Sequence, residues 1–189
     1  MKLSRKFYKR STEKVAQEML GKLLVHKTKE GMCKGRIVET EAYFGSKDPA
    51  SHAYGKKTSR NFLMFGEPGK AYVYFCYGNH WLFNVVAKED GNPGAVLVRA
   101  LEPLYGLELM KHRRCVESVK ELTNGPGKLT QAFGIEKSHN SLDLTGNDLF
   151  LESSKEKFEI VKAKRIGISK GKEKLLRFYI KNNEFVSRF

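Results

Sequence analysis

Long apolar runs are missing from this sequence. None approaches the ~18 residues that would span a bilayer, and the basic start MKLSRKFYKRS is not followed by the apolar stretch of a secretory leader. No membrane association is expected. Cysteine is scarce too. Cys33, Cys76 and Cys115 are odd in number and far apart, with no C-x-x-C or His/Cys cluster. That argues against a disulfide framework or a zinc site and fits a reducing, intracellular compartment. Internal repeats and low-complexity linkers are absent, so the 189 residues read as one domain, 1–189, long enough to bury roughly 70 % of the unfolded surface. The last shortage is of acid: 21 Asp+Glu stand against 35 Lys+Arg, a formal net charge of +14. Such a balance favours a polyanionic partner, with plain solubility as the bland alternative.

What is present is a mixture of strand and helix signals. Ser11-Thr12-Glu13 opens a helix carrying Val15, Ala16, Met19 and Leu20 at helical spacing, with Gly21 as its stop. Leu23–Val25 and residues 34–43 read as strands, and Gly45–Arg60 as a long polar loop. AYVYFCY (71–77), a Gly78-Asn79 turn and WLFNVV (81–86) make a hairpin, and a second turn at 89–94 leads into AVLVRAL (95–101). Leu107–Leu122 is expected to be helical, NGPGKL (124–129) to turn into a short helix ending near Gly134, and residues 148–151 and 175–180 to be strands. Without a regular βαβ alternation, the expected fold class is α+β, a mixed domain around an antiparallel sheet.

The chemistry concentrates in RIVETEAY (36–43). Strand alternation puts Ile37, Glu39, Glu41 and Tyr43 on one face. Paired acids there fit a solvated row, a metal cluster completed by Asp48, or a hydrolase in which one carboxylate activates water. Aromatics crowd the neighbourhood: Tyr43, His52, Tyr54, Tyr72, Tyr74, Tyr77, His80 and Trp81. Each is more commonly a packing residue than a base platform, but Tyr77, His80 and Trp81 at a hairpin tip cannot all be buried by their own hairpin and suit a wedge into a partner. Arg99 interrupts an apolar strand and needs an anion: Glu102 on the structural reading, a phosphate or a catalytic group on the functional one.

These blocks in this order, with ASHAYGKKTSRN (50–61), MFGEPGKAYVYFCYGNHWLFNVV (64–86), VLVRALEPL (96–104), NGPGKL, RIGI (165–168) and LRFYI (176–180), resemble the alkyladenine (3-methyladenine) DNA glycosylases of the mammalian type across nearly the whole chain. The resemblance implies a monomeric, metal-free and cofactor-free enzyme of a single domain. Its protruding β-hairpin enters the minor groove of double-stranded DNA containing damaged purines. It implies Glu41 as the general base, with Arg99 and the backbone carbonyl of Ile166 holding the water and the flipped nucleotide. Tyr43, His52 and Tyr74 match the walls of the base pocket. Asn84 matches the side chain that disfavours an exocyclic 2-amino group. Tyr77 matches the intercalated residue, and Gly125, Gly127 and Lys128 a DNA-backbone contact. It assigns no role to His80, Trp81 or the Gly66-Glu67 pair.

The implied chemistry is coherent. A base must leave the stack before its sugar bond can be reached. A cationic alkylated purine is attracted by aromatic faces and departs readily, and one carboxylate then suffices to activate water against an oxocarbenium-like sugar. A lysine Schiff-base route, a non-catalytic nucleic-acid-binding module and a metal-dependent nuclease are the competing classes.

Overall fold

The computed structural model describes residues 1–45, 47–76 and 78–187. A short helical turn α1 (Arg5–Tyr8) precedes helix α2 (Thr12–Met19), which starts where the Ser11 hydroxyl accepts the Lys14 N–H and buries Val15, Ala16 and Met19. Strand β1 (Leu23–Thr28) turns at Gly31 into β2 (Gly31–Phe44). After the loop come the hairpin strands β3 (Ala71–Cys76) and β4 (His80–Val86), then β5 (Gly94–Tyr105). Helices α3 (Leu107–Arg114) and α4 (Pro126–Phe133) follow, and β6 (Leu149–Glu152), β7 (Ile160–Ala163) and β8 (Arg177–Ile180) complete the chain.

All strands join one antiparallel sheet with the order β3-β4-β5-β2-β1-β6, and the fold is α+β as expected. β2 organises it. One edge pairs with β5 along its length, while the other edge is divided, its first half pairing with β1 and residues 39–41 with β8. β8 in turn carries β7. Strand alternation separates the two faces of β2. Thr40 donates its hydroxyl to Ala16 O of α2, so the flanking Glu39 and Glu41 project from the opposite face, on the side of α4.

The main apolar cluster runs through Val15, Met19, Ile37, Val38, Phe83, Leu101, Phe133 and Phe178. A satellite cluster of Ala53, Leu63, Met64, Tyr72, Val86 and Ala95 pins the long loop against the hairpin.

Two expectations need correction. The helix expected over 107–122 ends at Arg114, where Cys115 takes a left-handed conformation (φ 52°) and its N–H bonds back to His112 O and Lys111 O. Met110 is the one residue of α3 that is buried, and the His112-Arg113-Arg114 run offers no apolar side chain to extend the packed stripe. Residues 119–121 form a separate 3₁₀ turn. β7, in a lysine-rich stretch, was not foreseen as a strand; its alternation of exposed and half-buried residues suits an edge strand.

Candidate active site

Glu39, Glu41 and Arg99 come together through two matched irregularities in the β2–β5 ladder. Ile37 faces Leu101, Glu39 faces Ala100, and Thr40 faces Val98, so Val38 on one strand and Arg99 on the other are each left without a partner. Each is a bulge residue, and the two offset one another, keeping the register on both sides. Bulges re-aim side chains without ending a strand. Here Arg99 swings over both glutamates: its Nε lies 3.0 Å from Glu39 Oε1 and its Nη1 3.3 Å from Glu41 Oε1. Glu102, the structural partner expected for Arg99, faces Arg36 across the ladder and bonds to it at 2.6 Å.

The two acids have different surroundings. Glu39 has two arginines and a backbone donor: besides Arg99, it accepts from Arg177 Nε at 2.7 Å and from the Ser187 N–H at 2.7 Å. Glu41 accepts the Tyr43 hydroxyl on Oε2 at 2.7 Å and the Ile166 N–H on Oε1 at 2.8 Å. Arg99 adds an ion-pair contact to Oε1, and Oε2, which takes the Tyr43 hydroxyl, keeps a further acceptor position. Burial raises the Glu41 pKa above its ordinary value, against the lowering effects of Arg99, the Ile166 N–H and Tyr43. A base of raised proton affinity is the result.

These groups floor a cleft of about 940 Å³. Glu41 is fully buried and does not itself form the wall; its three partners, Tyr43, Arg99 and Ile166, do. His52, Tyr74 and Asn84 line the cleft as expected, and Gly125, Gly127 and Lys128 form its rim at the start of α4. His52 meets Tyr74 edge-on at 4.6 Å, and its Nδ1 lies 2.8 Å from the Tyr72 hydroxyl. Burial, and secondarily Arg60, push the His52 pKa down to about 4, so the ring is neutral at pH 7 and is not a ready proton donor. Asn84 donates to Tyr72 O at 3.1 Å. Lys128 Nζ reaches Asn124 Oδ1 at 2.8 Å. Of the hairpin-tip residues, His80 packs on Gly127, and Trp81 stacks on its cross-strand neighbour Phe75 at 4.8 Å. Tyr77, the expected intercalating residue, lies outside the described residues.

Residues 6–184 match the sequence profile of the methylpurine-DNA glycosylases. The chain belongs to that family. A Clostridium acetobutylicum protein, named as a candidate 3-methyladenine DNA glycosylase, is 48% identical over 99% of this chain and 98% of its own length. Clostridium tetani and Carboxydothermus hydrogenoformans proteins bearing the same name are 48% and 47% identical over 100% of both partners. The protein is therefore a DNA glycosylase, a hydrolase of N-glycosyl bonds that acts on DNA, and no helix among its described residues is long and apolar enough to cross a membrane.

Behind the cleft stand residues whose partners differ from those expected or were not anticipated. Asp48, read as a possible third metal ligand, is engaged by Arg165 through a two-pronged ion pair of 2.6 and 2.7 Å, both side chains being fully buried. Each of Asp48, Glu39 and Glu41 is thus bound by arginine, and among the described residues no group of His, Cys, Asp and Glu is arranged to hold a metal ion. Arg177 and Ser187, which hold Glu39, come from the distant C-terminal segment. Arg177 lies in the LRFYI block, but no role was attached to it or to Ser187; the antiparallel pairing of β8 with β2 brings Arg177 to Glu39, and Ser187 follows seven residues after β8.

Proposed function

We propose that this glycosylase excises damaged purines, among them 3-methyladenine, 7-methylguanine, hypoxanthine and ethenoadenine, after they are flipped out of duplex DNA. The observation that carries the reading is a buried carboxylate, Glu41, held by two donors and the Arg99 cation beneath an aromatic cleft. The flipped base lies among Tyr43, His52 and Tyr74, whose faces attract a cationic alkylpurine. Asn84, fixed by Tyr72 O, stands where a 2-amino group would meet it. Water admitted beside Glu41 loses a proton to the carboxylate as its oxygen bonds to the sugar C1′. The C1′–N bond breaks, and its electron pair leaves with the base.

An alkylated purine departs neutral. A neutral lesion must gain a proton from elsewhere, since His52 is neutral at the working pH. The product is an abasic site, and the strand is not cut. Gly125, Gly127 and Lys128 grip the phosphate backbone, Tyr77 fills the gap in the stack, and the enzyme acts as a single-domain monomer. This reading agrees with the family's name and with an excess of 35 Lys+Arg over 21 Asp+Glu.

The test uses a duplex with one hypoxanthine, and methylated DNA, both in EDTA, with abasic sites revealed by alkali. Wild type should release base without metal. Glu41→Gln should bind DNA as well as wild type and release base slower by orders of magnitude, at least ~10²-fold. Equal release by both proteins would remove Glu41 from the mechanism, and a borohydride-trapped covalent adduct would favour a lysine route.

A further inference from the structure

Asp48 and Arg165 do not line the cleft, yet their ion pair lies at the crossing of three segments that build it. Arg165 Nη1 donates to Ala42 O, the peptide between Glu41 and Tyr43, at 2.9 Å, and its guanidinium lies 4.6 Å from the centre of the Tyr43 ring. The very next N–H along the chain, that of Ile166, bonds Glu41. On the other side, Asp48 accepts the N–H groups of Phe44 and Ala50, at 3.2 and 3.3 Å, and so ties down the loop that bears His52. Residues 164–168 belong to no helix or strand, so nothing in the sheet ladder fixes where Ile166 points.

As a device for stability alone the pair is a poor choice. Buried ion pairs often do no better than an apolar replacement, and Arg165 Nε is buried without a partner. The contacts make sense as positioning.

We propose that Asp48 and Arg165 are positioning residues of the glycosylase reaction, holding the Ile166 N–H and the Tyr43 ring on Glu41 so that its carboxylate stays oriented and ionised. This rests on Glu41 being the base. Glu41 also faces Arg99 from β5, with Glu39 and Arg177 of β8 behind it, and Tyr43 and Tyr74 as phenol neighbours. Arg99 would remain when the clamp is broken, so Glu41 would lose one donor and keep its principal cation. The Ile166 N–H favours the charged form of Glu41, so losing it raises the pH at which the base ionises.

The experiment is single-turnover base release against pH for wild type, Asp48→Asn, Arg165→Lys and Glu41→Gln. Wild type should show an acid limb above the 4.5 of an ordinary glutamate. Asp48→Asn keeps the side-chain volume but breaks the fork. It should move the limb to higher pH and slow release at neutral pH by roughly 10- to 100-fold, the scale of a small misplacement of a catalytic group, while DNA affinity stays within about 3-fold. Arg165→Lys, which keeps the charge and loses the fork, should do the same and serves if Asp48→Asn does not fold. An unmoved limb, with any loss of rate matching the unfolded fraction, would overturn the proposal. So would a failure of both variants to fold, which would mark the pair as purely structural. An active Glu41→Gln would instead overturn the choice of base, a result distinguishable from the first.

Discussion

Arg99 is shared between two carboxylates, and a residue in that position has consequences that depend on pH. Removing it as Arg99→Met leaves Glu39 with Arg177 and Ser187, but Glu41 with neutral donors only. The folded-state pKa of Glu41, already raised by burial, would rise further. A carboxylate whose folded pKa lies above its unfolded value costs nothing below the unfolded value, destabilises increasingly as pH rises from the unfolded value to the folded one, and by a constant amount above it. Urea denaturation should therefore show a loss of about 3 kcal/mol at pH 8, the usual scale for orphaning a buried charge, and a clearly smaller loss at pH 5. Equal losses at both pH values would mean that Glu41 does not depend on Arg99 for its charge. At this scale the sequence was informative about the glutamates, which stand out in a basic chain. It was less informative about Arg99, whose partner by proximity, Glu102, belongs to Arg36.

The elements meet at close backbone approaches as well as through side chains. β5 begins at Gly94, beside the start of α2 and the end of β4. A Cβ on Gly94 would run into Thr12 Oγ1 and lie 2.8 Å from Ala87 O, while the Thr12 hydroxyl is itself committed to Ala87 O at 2.8 Å. Gly94→Ala should therefore cost about 1–3 kcal/mol by overpacking, read as a lowered urea midpoint with an unchanged m-value. No loss would mean that α2 can shift away freely. Both hairpins were readable from the sequence because turn residues and strand residues agree there. Helix α3 was overextended because residues 115–122 carry helix-compatible side chains, and the helix stops where Lys111 to Arg114 offer nothing apolar to bury before the left-handed Cys115. The paired bulges at Val38 and Arg99 leave no sequence mark at all, since each is visible only against the strand opposite.

For the molecule as a whole, the formal charge of +14 should govern association with DNA. The logarithm of the binding constant should fall linearly with the logarithm of salt concentration, by about 0.9 per phosphate neutralised. If Lys128 grips the backbone from the rim of the cleft, Lys128→Ala should reduce that slope by about 1 and weaken binding alike for damaged and undamaged duplexes. Titrations at several salt concentrations measure both quantities. A slope unchanged by the substitution would detach α4 from the phosphate contact.

By itself the sequence determined the class of fold and the family, because these reside in local patterns: alternation along a strand, glycine at turns, ordered blocks of residues. The different surroundings of Glu39 and Glu41 were decided only by the tertiary structure. The two are equivalent in the strand pattern, and they differ because β8 and the segment ending at Ser187 close over one, while Ile166 and Tyr43 hold the other under the cleft. The pairing of Arg165 with Asp48 belongs to the same category. An ion pair between residues 117 positions apart depends on where the sheet brings two loops together, and no local pattern records that meeting.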